Sequence, residues 1–207
     1  MGNQNNANDT MTNQNRRKDA INCDYLLKYI IIGDASVDKA GILRFIYKQF
    51  ETENEITIIP EFGLKNIEIR NKIYRIQIWE TSGKENFRSI TRIYYKNFAC
   101  AIIVYDITNR KSFNNIMNYI EDCKNYAPKT ISMTLVGNFC DLNYKRQVSI
   151  LEGQKLADKL GIQFYEVSTK TGENIDEMLY NSVNEIARKI DEGYYDLNND
   201  SCGIRKR

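Results

Sequence analysis

The chain has 207 residues, 42% of them hydrophobic and 27% charged, with a net charge of +2 and a pI near 8.2. This is the make-up of one globular domain with tails, and its charge balance gives no footprint for nucleic acid or for an anionic surface. It contains no histidine, which removes Ser-His and Cys-His nucleophile pairs, imidazole acid–base catalysis and every His-containing zinc site.

Residues 1–22 are dominated by Asn, Gln, Asp and Thr and are too poor in apolar residues to fold alone, so a disordered tail is expected there. Gly2 gives a partial match to a myristoylation site, since Asn6 stands where Ser or Thr belongs. From Asp24 short apolar runs alternate with amphipathic stretches, the signature of a sheet wound with helices, and a domain is expected over 23–192. Leu26 to Ile32 predicts a buried strand, Ala40 to Phe50 a helix, and Glu51 to Ile58 an irregular loop. Strict alternation over Leu64 to Ile69, a turn at Asn71 and a second alternating run over Tyr74 to Trp79 predict a hairpin. Ala99 to Tyr105 and Ile131 to Gly137 read as further buried strands, with helices around Ser112 to Asn125, Leu151 to Leu160 and Glu173 to Ile190. In the last helix Ile175, Met178, Leu179, Val183, Ile186 and Ile190 share one face and read as core. Residues 193–207 are polar again and are expected to be a flexible tail. The five cysteines, Cys23, Cys100, Cys123, Cys140 and Cys202, show no CxxC spacing, as suits reduced thiols of a cytoplasmic protein.

The chemistry concentrates where the first strand ends. Ile30 to Ile32, then Gly33-Asp34-Ala35-Ser36-Val37-Asp38, then Lys39-Ala40 opening a helix, is the strand–loop–helix layout that cradles phosphates on backbone N–H groups. The full pattern has Gly before the Lys and Ser or Thr after it. Asp38 and Ala40 stand in those places.

Four further runs, in order along the chain, carry a specific resemblance. They are Ile58-Ile59-Pro60-Glu61-Phe62, Arg75-Ile76-Gln77-Ile78-Trp79, Phe87 through Tyr95, and Val104-Tyr105-Asp106-Ile107-Thr108-Asn109. From about Tyr25 to Ile190 the chain resembles the Rab branch of the Ras-like small GTPases. That resemblance implies an α/β P-loop NTPase fold: a six-stranded, mostly parallel sheet with one antiparallel strand and five helices. The nucleotide would lie at the carboxyl ends of the strands, where open α/β sheets generally bind ligands.

By the same resemblance Lys39 would reach the β- and γ-phosphates of GTP, Thr57 would close on Mg²⁺ and the γ-phosphate, and the N–H of Gly83 would sense the γ-phosphate. Phe50 would pack on the guanine, Asn138 and Asp141 would be the first and last residues of the guanine-reading motif, and Ser168-Thr169-Lys170 would present a backbone N–H to the base. Phe62, Trp79 and Tyr94 match an aromatic triad that meets effectors and regulators, although aromatics at strand ends are also ordinary core residues.

The departures from the family pattern fall on phosphate, metal and water. Ala40 lacks the hydroxyl that would ligate Mg²⁺, and Glu80 replaces an Asp of the metal set with a side chain one methylene longer. Asp38 brings a carboxylate where phosphate would sit. A like-charge contact near 4 Å at an effective dielectric of ~20 costs about 4 kcal/mol, or about a thousandfold in affinity. Lys84 stands where a glutamine would orient the attacking water, and a protonated Lys has no acceptor for it. Phe139 replaces the base-site lysine and offers a ring instead.

Two functions follow as expectations. One is a monomeric, Rab-like guanine-nucleotide-binding regulator of vesicle traffic with weakened Mg²⁺ dependence and weak or absent GTP hydrolysis. The other is a nucleotide-free pseudo-GTPase that serves as an effector-binding scaffold. An active GTPase completed by a partner is the third and least economical, and relaxed selection in a duplicated, drifting copy is the plain alternative for Glu80, Lys84, Asp38 and Ala40. Cys202 is followed by Gly-Ile-Arg-Lys-Arg, which is no prenylation motif. The expected location is the cytoplasm, with peripheral contact to endomembranes resting on a partner, on Gly2 or on the short basic end.

Overall fold

The computed structural model describes residues 23–48, 62–83, 92 and 95–207. The expectations for residues 1–22, Glu51 to Ile58, Phe50, Thr57, Lys84 and Tyr94, and for the side chain of Phe62, lie outside the described residues. The strands are β1 (Tyr25–Gly33), β2 (Phe62–Ile69), β3 (Lys72–Glu80), β4 (Cys100–Asp106), β5 (Ser132–Asn138), β6 (Gln163–Val167) and β7 (Ile204–Lys206). Among the described residues the α-helices are α1 (Lys39–Lys48), α2 (Arg110–Asn114), α3 (Ile116–Tyr126), α4 (Ile150–Leu160) and α5 (Ile175–Asp191).

Six strands lie in the order β2-β3-β1-β4-β5-β6, parallel except for the β2–β3 hairpin, as expected for a Ras-like P-loop fold. The hairpin turns at Arg70 and Asn71, both left-handed (φ 52° and 61°), which matches the twist of the flanking strands. Because β1 and β4 are covered on both faces, they read as continuous apolar runs rather than as alternation. Their side chains still part by period two. Ile31, Ile102 and Val104 join Ile42, Ile46, Met178, Leu179, Val183 and Ile186 in the core under α1 and α5. Ile30, Ile32, Ala101 and Ile103 face the other way and pack with Ile116, Ile120, Leu135 and Ala157 of α3, β5 and α4.

Three local features differ from expectation. The helix expected over Ser112 to Asn125 is two helices that meet at Asn115, with Asn109 capping the first through the N–H of Lys111 at 3.1 Å. Strand β6 was implied by the resemblance but not located, because its five residues carry no clean alternation. The tail expected over 193–207 is ordered from Tyr195 to Ile204: it buries Tyr195, Cys202 and Ile204 in the core, and β7 pairs antiparallel with Tyr25 to Leu27 of β1. The physical reason lies in the register of β4. Its first residue, Cys100, meets β1 at Tyr29, so the start of β1 would leave its backbone groups open on that side. The chain end covers them, with Lys28 N donating to Gly203 O and Arg207 N to Asp24 O, both at 2.9 Å.

Helix α4 is held at its start by a reciprocal cap. Ser149 accepts from the N–H of Glu152 at 3.3 Å, and the Glu152 carboxylate accepts from Ser149 N at 2.9 Å and from Arg110 of α2 at 2.6 and 3.1 Å. The Arg110 hydrogen bonds, followed by those from Ser149, hold the Glu152 carboxyl down at about 2. Between β5 and β6, Arg146 and Glu166 form a bidentate pair at 2.6 and 2.7 Å, which anchors the segment after β5 to β6. No helix among the described residues is long and apolar enough to cross a membrane.

Candidate nucleotide site

The carboxyl ends of β1, β3, β5 and β6 bring together the loops that carry most of the candidate residues. After β1 the chain passes through Asp34, a short 3-10 turn over Ala35–Val37 and the left-handed Asp38 (φ 56°, ψ 51°) into α1. Lys39, only 3% exposed, folds back over this loop and donates from Nζ to the carbonyls of Gly33 at 3.0 Å and Asp34 at 2.7 Å. Burial pushes its ammonium below the usual lysine range, opposed by the carboxylates of Glu80, Asp34 and Asp38. A cation and backbone N–H groups at a helix start are the chemistry that suits phosphate oxygens.

Asp34 and Asp38 share the loop but face different partners. The Asp34 carboxylate accepts from Asn115 Nδ2 and from the Tyr119 hydroxyl, each at 2.9 Å, and so ties the loop to the junction of α2 and α3. The Asp38 carboxylate accepts from the N–H of Gly41 at 3.0 Å and from Arg44 at 3.3 Å, capping α1. The side chain expected to repel phosphate from the loop is thus turned onto the helix start. Ala35 and Ser36 are exposed, Val37 is buried and Ala40 half-buried.

Gly83, at the end of the segment after β3, presses on this loop. A Cβ there would lie 2.3 Å from Ala35 N and 2.4 Å from the Asp34 carbonyl carbon, so the backbones meet closely at a place that only glycine fits. Thr81 anchors the segment by donating its hydroxyl to Ile31 O at 2.9 Å. Glu80 ends β3 opposite Ile31, and its carboxylate partly offsets the lowering of the Lys39 pKa by burial. Among the described residues no three His, Cys, Asp or Glu side chains converge as a metal site. Of the Mg²⁺ set, Ala40 has no side-chain donor and Glu80 supplies a carboxylate that Lys39 already faces, so these two do not make the near-octahedral oxygen shell that Mg²⁺ requires.

On the base side, Asn138 is fully buried and its amide joins three loops. Nδ2 donates to Val37 O at 2.9 Å, while Oδ1 accepts from Phe139 N at 2.7 Å and from Thr169 N at 3.2 Å. Asn138 therefore acts as a strap, and the Thr169 N–H expected to face the base is spent on it here. Asp141 accepts from the Ser168 hydroxyl at 2.7 Å, and the same oxygen of Ser168 takes the N–H groups of Lys170 at 3.2 Å and Thr171 at 3.1 Å. This hydrogen-bonded turn fixes the Asp141 carboxylate beside the 168–170 loop. Lys170 is exposed, and the ring of Phe45 from α1 braces the loop at Gly172, where a Cβ would come within 2.0 Å.

Phe139 has φ 69° and ψ 37°, a left-handed conformation that an aromatic residue adopts only when its surroundings impose it. It is half-buried and lies in the chain between Asn138 and Asp141, the two residues of the candidate base site. Trp79 pairs with Phe62 across the hairpin by backbone register and packs partly against the core on the α3 side. The aromatic triad is therefore described at this one ring.

A family model described as the Ras family matches residues 28–188, well over half of the chain. The chain belongs to the Ras family. It is thus a small GTP-binding regulatory protein by family, and members of this family bind GTP or GDP with Mg²⁺. Sequence reasoning had not singled out Gly41, Arg44, Asn115, Tyr119 or Phe45 in the Ras-family site. For the first of these a signal was present, because an Asp directly before a helix is a capping residue as well as a charge.

Proposed function

We propose that this Ras-family protein is a Rab-like regulator of vesicle traffic that binds guanine nucleotide and hydrolyses GTP weakly or not at all. The observation that carries the reading is the Asn138 strap: one buried amide joins the Lys39 loop to the loops bearing Asp141 and Thr169, so the phosphate and base halves form one continuous site. An Asp carboxylate held at the base side suits a ring edge that offers two N–H donors, as guanine does. The Rab-type runs, from Ile58 to Phe62 through Val104 to Asn109, support the branch and the traffic role. Effectors and regulators would meet the surface around Phe62, Trp79 and Tyr94, with membrane contact through those partners.

Weak hydrolysis follows from residue chemistry. Lys84 has no acceptor with which to orient a water, and positioning is most of what phosphoryl transfer needs from the protein. Weak Mg²⁺ dependence follows from the missing donor at Ala40. When bound, Mg²⁺ would neutralise phosphate charge, with Glu80 and Thr57 the residues left to hold it. A second reading, a scaffold that works with an empty site, is favoured by one observation, the Asp38 carboxylate seated on the start of α1.

The test is to load purified protein with excess GTP, remove free nucleotide, and follow bound nucleotide by ion exchange after denaturation. Bound GTP that persists over hours without conversion to GDP is expected. Conversion within minutes contradicts the hydrolysis reading, and an empty site after loading supports the scaffold.

A further inference from the structure

We propose that Asp38 is an internal substitute for phosphate: its carboxylate closes the loop on itself, and a nucleotide has to displace it. This rests on the nucleotide reading of the same site and adds what controls its occupancy. An α-helix begins with N–H groups that lack intrahelical partners, and these, with the positive end of the helix dipole, are what an anion binds. In α1 an anion from the chain is already there. Asp38 Oδ1 lies 3.0 Å from Gly41 N, whose N–H it shares with the Asp38 backbone carbonyl at 3.1 Å, and Arg44, one turn further on, adds its guanidinium at 3.3 Å. Lys39, the cation of the loop, is turned onto the carbonyls of Gly33 and Asp34.

The neighbouring residues fit this arrangement closely. A methyl group at position 41 would stand 2.0 Å from Asp38 Oδ2 and 2.6 Å from its Cγ, so the carboxylate can occupy this position only because residue 41 is glycine. Glycine is otherwise the poorest helix former after proline. Asp38 is itself left-handed at φ 56°, a conformation that Asp and Asn tolerate better than most residues. Asp38, Gly41 and Arg44 therefore form a matched set, unlike a lone acidic substitution in a loop that otherwise remains open.

Two variants separate the occupied seat from plain charge repulsion. Asp38→Gly removes the carboxylate and suits the left-handed backbone; Gly41→Ala keeps the charge but drives it off the helix start. Both should bind GDP at least tenfold more tightly than the unmodified chain. A ligand-independent readout runs beside this: in nucleotide-free protein the Gly41 amide should exchange hydrogen several-fold faster in Asp38→Gly. Equal exchange at Gly41 in the two proteins would overturn the cap. If the unmodified chain binds GDP and Asp38→Gly binds it no better, the displacement idea is overturned while the nucleotide reading stands. If Gly41→Ala alone shows no gain, charge and not occupancy is responsible, and the substitute role is rejected. If no variant binds GDP, both the displacement and the nucleotide reading fall.

Discussion

At the scale of single residues, the site depends on side chains whose work is internal. Asn138 carries three hydrogen bonds to three loops from a position with no solvent exposure. Removing it leaves Val37 O, Phe139 N and Thr169 N without their partner, and part of this burial cannot be refilled by water. Asn138→Ala should lower stability by about 3 kcal/mol, the sum expected for a few buried groups left unpaired, and should also weaken GDP binding by loosening the base loop. Urea unfolding followed by Trp79 fluorescence measures the first effect; a loss below about 0.5 kcal/mol would show that the strap is dispensable. The residue scale is also where sequence and structure part most. Lys39 stands at the start of α1 directly after the loop that follows β1, a position legible in the sequence because a strand, a turn and a helix start leave it few alternatives. Asn138 and Thr169 are not legible in the same way: nothing in a linear motif says that a side chain is turned toward another loop rather than toward a ligand.

At the scale of elements, most of the fold is legible because apolar period follows from burial. Continuous runs at β1, β4 and β5, alternation in the β2–β3 hairpin and the one-sided stripe of α5 each state how many faces are covered. The break at Asn115 and strand β6 are less visible, since short segments hold too few residues to set a period. Strand β7 is invisible locally. Its three residues pair with the far end of the chain, and only the late start of β4 leaves β1 an edge to fill. That edge makes a clear prediction. Ile204 is 1% exposed, and burying an aliphatic side chain of this size contributes about 2 kcal/mol. Ile204→Asp should therefore lower the thermal midpoint by several degrees and increase hydrogen exchange at Tyr25 to Leu27 in particular. An unchanged exchange pattern in β1 would mean that the chain end contributes nothing to the sheet.

At the scale of the whole molecule, the Ras-family fold sets two demands against each other. On the proposed base side, Asp141 is fixed by Ser168 and the loop is braced by Phe45 at Gly172. The phosphate side keeps Lys39 but lacks a metal donor at Ala40 and fills the start of α1 with its own carboxylate. Nucleotide should consequently be held more by its base than by its metal. That central claim is tested most directly by titrating nucleotide-free protein with labelled GDP, in Mg²⁺ and again with excess chelator, with ATP as competitor. The account predicts saturable GDP binding that changes less than about tenfold on chelation, the equivalent of 1.4 kcal/mol, and that excess ATP does not displace. No saturation at millimolar GDP, or displacement by ATP as readily as by GTP, would contradict it.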